Sequence, residues 1–275
     1  MTKDKKQDET LKNVFISSSS IARALLMCLI GATDNSETPE KLKHLLNLDQ
    51  YDSTEILLQV KQTISHFDSL LNEDLILSEA NKMFFDKDIE FKSEFFNEIA
   101  QYFNADIESL NFNDAKYAAQ VINKWCEEKT FGKIKKILTE NDLYGAVLVL
   151  INAIYFKAKW LYEFEPYNTS QNVMFTMENG QKTPVEMMSM IKYLSICEEV
   201  SGLDASMCQL PYKGETMFMT IVLPKRKETK LREIESKLNC QILKNAFKGK
   251  PKQSVDIQLP KFKIEYESEV SFKCN

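Results

Sequence analysis

The run Ala146-Val147-Leu148-Val149-Leu150-Ile151-Asn152-Ala153-Ile154-Tyr155-Phe156 constrains the fold more than any other part of the chain. Its β-branched and long aliphatic residues suit an extended backbone. A strand that is apolar at nearly every position has to be covered on both faces. The run therefore predicts a strand over 144–156 in the middle of a large sheet. Asn152 is its one amide. If it is buried, that side chain must find hydrogen-bond partners or cost about 1–3 kcal/mol. The rest of the chain has to supply both the cover and the partners.

The cover is visible as amphipathic segments. Helices are expected over 17–32, 39–48, 54–72, 91–103 and 115–129. The first follows a serine run suited to helix capping and is apolar almost all round up to Gly31, which predicts a buried helix. In the third, Ile56, Leu57, Val60, Ile64, Phe67 and Leu71 recur at three and four. Strands are expected over 75–85 and 105–112. After Trp160 the pattern changes to short strands over 173–177, 185–190, 194–198, 206–212 and 217–223. Short helices near 231–238 and 241–247 and a strand over 255–267 complete it. Residues 1–12 are charged and expected to be loose. No repeat or low-complexity linker divides the chain. Helices first and strands later argue one α+β domain over 1–275 rather than alternating βαβ units.

Several function classes lose support at once. The net charge of −5, with Lys and Glu interleaved, gives no general attraction to nucleic acid. Glycine is scarce, at 7 residues, and no phosphate-loop, dinucleotide or nucleophile-elbow motif occurs. The six cysteines show no C-x-x-C pair, so no metal site and no cofactor is expected. Their scatter reads as free thiols and leans toward a reducing compartment. His44 and His66 both sit in helical segments and read as solvated or partly buried helix residues. No stretch has the length and purity of a membrane-spanning helix, and the polar start at Met1-Thr2-Lys3-Asp4 carries no secretion signal. Asn168-Thr169-Ser170 is a candidate N-glycosylation sequon if the protein reaches the secretory pathway.

Five motifs then resemble one family in the correct order. Asn13-Val14-Phe15-Ile16-Ser17-Ser18-Ser19-Ser20-Ile21, running to Gly31-Ala32, is similar to the helix B opening of the serpins. Ile122-Asn123-Lys124-Trp125, continuing to Thr130-Phe131-Gly132-Lys133-Ile134, resembles serpin helix F and its exit. Leu148 to Trp160 resembles the third strand of the large sheet. Leu210-Pro211-Tyr212-Lys213-Gly214 with Ile221-Val222-Leu223-Pro224, and then Leu259-Pro260-Lys261-Phe262-Lys263, resemble the small-sheet strands and the strand after them.

The resemblance implies an α+β fold in which helices pack on a large central mixed or antiparallel sheet, with smaller sheets beside it. It also implies inhibition of a serine-type endopeptidase, or of a cysteine protease, by a suicide trap. The protease cuts an exposed bait loop, and the cut loop enters the large sheet as a new strand. The starting state is held kinetically. Ser17, Ser20 and Asn152 match the cluster beneath the opening of that sheet, and Trp160 matches the Trp at its top, where the loop first enters. None of these is catalytic.

The departures matter as well. The chain ends at Phe272-Lys273-Cys274-Asn275 and holds no Ala-rich hinge, so the reactive bond and the C-terminal strands are expected to be missing. As it stands the chain is expected to be inactive and poorly soluble, through exposed strand edges. Ser18 stands where the family often has proline. By family expectation the compartment is extracellular, with the cytoplasm as the alternative. A non-inhibitory binding or chaperone role stays open. A hydrolase built on the serine run lacks a matching His and acid pattern. The helix over 54–72 carries Lys61 but no basic face, so weak or no heparin binding is expected.

Overall fold

The computed structural model describes residues 14–32, 36–90 and 92–263. The described residues form two compact units, one up to Lys157 and one over Ala158–Lys263.

The first unit is a helix-covered sheet. Its elements are α1 (Ser18–Gly31), α2 (Thr38–Leu45), α3 (Ser53–Leu70), β1 (Leu75–Asp86), α4 (Ser93–Phe103), β2 (Asp106–Leu110), α5 (Ala115–Lys129) and β3 (Leu148–Ala158). Local chemistry fixes the helix starts. Ser17 caps α1 by accepting from the Ser20 N–H, and Asp52 and Glu55 form a reciprocal capping box at α3. The strands lie in the order β2-β1-β3, with β1 and β2 parallel.

Side chains alternate across a strand, and here the alternation sorts the core into two layers. Met83 of β1 joins Met27, Leu29, Ile56, Leu57, Val60, Ile99 and Phe103 under α1, α3 and α4. Its neighbour Phe84 points the other way, to Ala118, Ile122, Trp125 and Cys126 of α5. Both side chains are fully buried. Leu148 and Leu150 of β3 pack on the first layer, and Val149 and Ile151 on the second.

The expected strand is β3. Both faces of β3 are covered, but among the described residues it pairs with β1 alone, and Val147 and Phe156 at its ends are exposed. The centre of the described sheet is β1, whose sequence Leu75-Ile76-Leu77-Ser78-Glu79-Ala80 is the less apolar of the two. Apolar content reports cover on the faces; position in a sheet is set by pairing along the edges. The first part of the expected strand, from Tyr144, is a loop after a short 3-10 turn at Glu140–Leu143.

The second unit is a five-stranded antiparallel sheet. It contains β4 (Thr169–Thr176), β5 (Lys182–Cys197), β6 (Ala205–Pro211), β7 (Phe218–Pro224) and β8 (Gln253–Pro260), with α6 (Leu231–Lys237) and α7 (Cys240–Ala246). β5 organises it, pairing with β4, β8 and β6 along successive stretches. The two short strands expected over 185–190 and 194–198 are one strand. Ile191, Lys192 and Tyr193, which look like an interruption, pair with Asp256, Val255 and Ser254 of β8. The expected strand over 255–267 is ordered as β8 up to Pro260, and its part beyond residue 263 lies outside the described residues. So do residues 1–12, expected to be loose. Helices on one sheet and a separate antiparallel sheet make the chain α+β, as expected.

Candidate functional site

Periodicity brings the polar site together. Leu148, Leu150 and Asn152 share one face of β3, and Asn81 and Met83 share one face of β1. Both faces are the one covered by α1, whose first turn carries the serine run. Ser20 donates its hydroxyl to Asn152 Oδ1, and Asn152 donates from Nδ2 to Asn81 Oδ1. The chain of bonds thus runs from the helix through β3 to β1. Asn81 is 5% exposed, so losing this partner would leave a buried amide acceptor unpaired. It also lines a cavity of about 210 Å³ with Arg23, Asp68, Phe103 and Asn104.

Ser17 also caps the helix. Its hydroxyl caps α1 at 3.2 Å from the Ser20 N–H and lies 3.1 Å from the Ser19 hydroxyl. It acts on the cluster by fixing the turn that presents Ser20. Asn81 is the member that sequence reasoning missed. The signal was available: an amide in a strand otherwise flanked by Met83, Phe84 and Phe85 poses the same burial problem as Asn152.

The cluster consists of amides and hydroxyls. It has no titrating group, so its chemistry is to hold. Separating β3 from β1 at this level breaks the Asn152–Asn81 bond, and moving α1 away breaks the Ser20 bond.

Trp160 lies in the second unit. It bridges to Tyr212, and the two rings stack with centroids 4.6 Å apart and planes at 16°. Backbone bonds flank the stack, from Leu161 N to Pro211 O at 2.9 Å and from Lys213 N to Lys159 O at 2.8 Å. Burial raises the Tyr212 phenol above its ordinary pKa.

The remaining singled-out residues are scattered. Asn168 is exposed at the end of a 3-10 turn, where its carbonyl accepts from the Ser189 hydroxyl at 3.0 Å. His44 Nδ1 lies 3.4 Å from the Asp49 carboxylate on the surface, and His66 stands beside Phe67 on α3. Lys61 sits over the Tyr102 ring, 5.8 Å from its centroid. The five cysteines among the described residues are free thiols, and burial pushes the Cys126 thiol up to about 12. Among the described residues no group of three or more His, Cys, Asp or Glu could hold a metal ion, and no helix is long and apolar enough to cross a membrane.

Comparison with known proteins places this geometry. The family profile of the serpins, serine protease inhibitors, matches residues 1–272. Human Serpin B3 is 30% identical over 272 residues, covering 92% of this chain and 68% of its own length. The leukocyte elastase inhibitor of Xenopus tropicalis is 30% identical and covers 92% of this chain and 67% of its own. Among solved structures, emu (Dromaius novaehollandiae) ovalbumin superposes with a TM-score of 0.82 at 23% identity, over 90% of this chain and 67% of that one, which supports the fold. Human neuroserpin, 28% identical, is spanned over 63% of its length. The chain thus spans about two thirds of the relatives it matches, and it belongs to the serpin family.

Proposed function

We propose that this chain is the sheet-opening body of a serine-type endopeptidase inhibitor that traps its protease by loop insertion. The observation that carries the reading is the Ser20–Asn152–Asn81 chain of bonds, which ties α1 to two neighbouring strands with groups that hold and do not catalyse. A sheet that must admit a strand needs a fastening that is specific, breakable and re-formable. Side-chain amides satisfy that, because their bonds can be exchanged for others without changing charge. Ser17, Ser20, Asn152 and Asn81 are the fastening in the first unit, and Trp160 with Tyr212 is the stacked contact in the second. The protein acts by binding, not as an enzyme, on a serine or cysteine protease, with heparin and nucleic acid playing little or no part.

The 275 residues contain no Ala-rich hinge, so the isolated chain is expected to form no trap by itself. The test uses this chain and the longest product of its transcript against trypsin-like, chymotrypsin-like and elastase-like serine proteases. A covalent complex that survives denaturing electrophoresis, seen with the longer product and lost on changing its scissile residue, is the expected result. If every product is only cleaved or ignored, the trap reading is wrong and a non-inhibitory binding role takes its place. The two units are proposed to melt as parts of one domain. Extracellular location follows from family expectation, with the cytoplasm as the alternative. Enzymatic deglycosylation shifting the mobility of the natural protein, and losing that effect in Asn168→Gln, would support the former.

A further inference from the structure

Cys197 closes β5, and it is 2% exposed within the core of the second unit beside Val200, Ala205, Met207 and Ile234. Its thiol donates to the Glu199 carbonyl at 3.1 Å. Lys250 approaches the same sulfur from the connection between α7 and β8, with Nζ 2.7 Å from Sγ. The approach is built into the backbone. Gly249 turns at φ +69, the Lys250 N–H bonds to the Phe247 carbonyl at 3.2 Å, and Pro251 stiffens the next step. Sulfur is a poor acceptor for an ammonium group. The nearby carboxylate of Glu199 is taken by Lys225 at 3.1 Å, which leaves Lys250 directed at the thiol.

We propose that Cys197 and Lys250 form an oxidisable pair, which hydrogen peroxide joins through a covalent bond between Sγ and Nζ. In the first step the sulfur attacks the peroxide O–O bond. The thiol becomes a sulfenic acid and one water leaves. In the second step the Lys250 amine, having given a proton to solvent, attacks that sulfur. The S–N bond forms, the S–O bond breaks, and the hydroxyl departs as a second water. The chain loses two hydrogens and the peroxide is reduced to two waters. A small thiol reductant reverses the bond. Cys126, Cys208 and Cys240 are worse placed: burial raises the first two thiols, while Cys240 is exposed on α7. The bond would tie the end of β5 to the entry of β8, across 53 residues of chain.

The experiment treats the folded 275-residue protein with hydrogen peroxide, digests it at acidic residues and maps the peptides by mass. The expected product is one linked pair of peptides holding Cys197 and Lys250, about 2 Da lighter than their sum, which dithiothreitol separates. The oxidised protein should melt on the order of 5 °C higher, through the closed loop. Lys250→Arg keeps the charge without the nucleophile and should abolish the link, as should Cys197→Ser, whereas Cys208→Ser and Cys240→Ser keep it. The proposal is overturned if Cys197 goes to sulfinic or sulfonic acid unlinked. It is equally overturned if the link survives in Lys250→Arg, or if Cys197 stays a free thiol while Cys240 is oxidised. The peptide map of the unmutated protein reads the bond directly, so a variant that fails to fold does not blunt the test.

Discussion

The Asn152 contact of the first unit and the Trp160 contact of the second are held by different forces. At Asn152 three polar side chains are linked by hydrogen bonds in a half-buried to buried layer. At Trp160 two rings stack and the backbone makes its own bonds, so no side-chain hydrogen bond is needed for the geometry. Removing Asn152 from the first leaves the buried Asn81 amide without this partner. Removing a member of the second loses apolar area and a stack, and solvent can reach what remains. A polar fastening is brittle to substitution, and a stacked one degrades gradually.

The largest effect should come from Asn152→Ala, which strands the buried Asn81 amide and should destabilise the first unit by about 2–3 kcal/mol, with Asn81→Ala, which strands the half-buried Asn152, costing about 1–2 kcal/mol. The double substitution should cost clearly less than the sum, which denaturant unfolding of the four-member cycle would read. Strict additivity would show that the two amides do not share a bond. Trp160→Ala should cost about 1–2 kcal/mol, and Trp160→Phe, which keeps a ring for Tyr212, less than half of that. The chain has two tryptophans, Trp125 in the first unit and Trp160 in the second, so fluorescence can follow each unit separately. Coincident transitions would join the two contacts in one cooperative fold; separated ones would break that link.

A smaller effect is expected at the cap. Ser17→Ala should cost about 1 kcal/mol through loss of the α1 N-cap, and Ser17→Asp should restore most of it. If Ser17→Ala equals Ser20→Ala, Ser17 has a direct part in the cluster beyond capping. The smallest effect concerns acid. The Asp204 carboxyl lies below its ordinary pKa, first through the Thr229 hydroxyl and then through Arg226. A lowered folded pKa means stabilisation that is complete above the unfolded carboxylate range and lost as pH falls through the folded value. The group is only half-buried and open to solvent screening, so the change should be slight; an NMR titration of Asp204 in Thr229→Val should move its midpoint upward.

Much of this was legible beforehand. Helix α5 has the bounds that its pattern predicts, and Asn152 announces itself as an amide in an apolar strand whose partners had to be elsewhere. Ser20 could be named as one partner through resemblance to the serpins. Asn81 was not named, because the rule that singles out Asn152 was not applied to a strand with a more mixed sequence. Ser17 was matched to the cluster through the same resemblance, and the helix turn shows that its hydroxyl caps α1 while Ser20 reaches Asn152.

The sequence by itself determined the period-two and period-3.6 patterns, the caps, and so the kinds and rough bounds of the elements. These depend on contacts within a few residues. The tertiary structure decided that β1 lies between β2 and β3 among the described strands, that β5 is one strand and not two, and that Asn81, Asn152 and Ser20 meet across 71 and 132 residues of chain. It also decided that Lys250 lies on Cys197. Edge pairing and cross-chain side-chain bonds leave no periodic trace in the local sequence, because each partner is compatible with many others until packing brings one of them within reach.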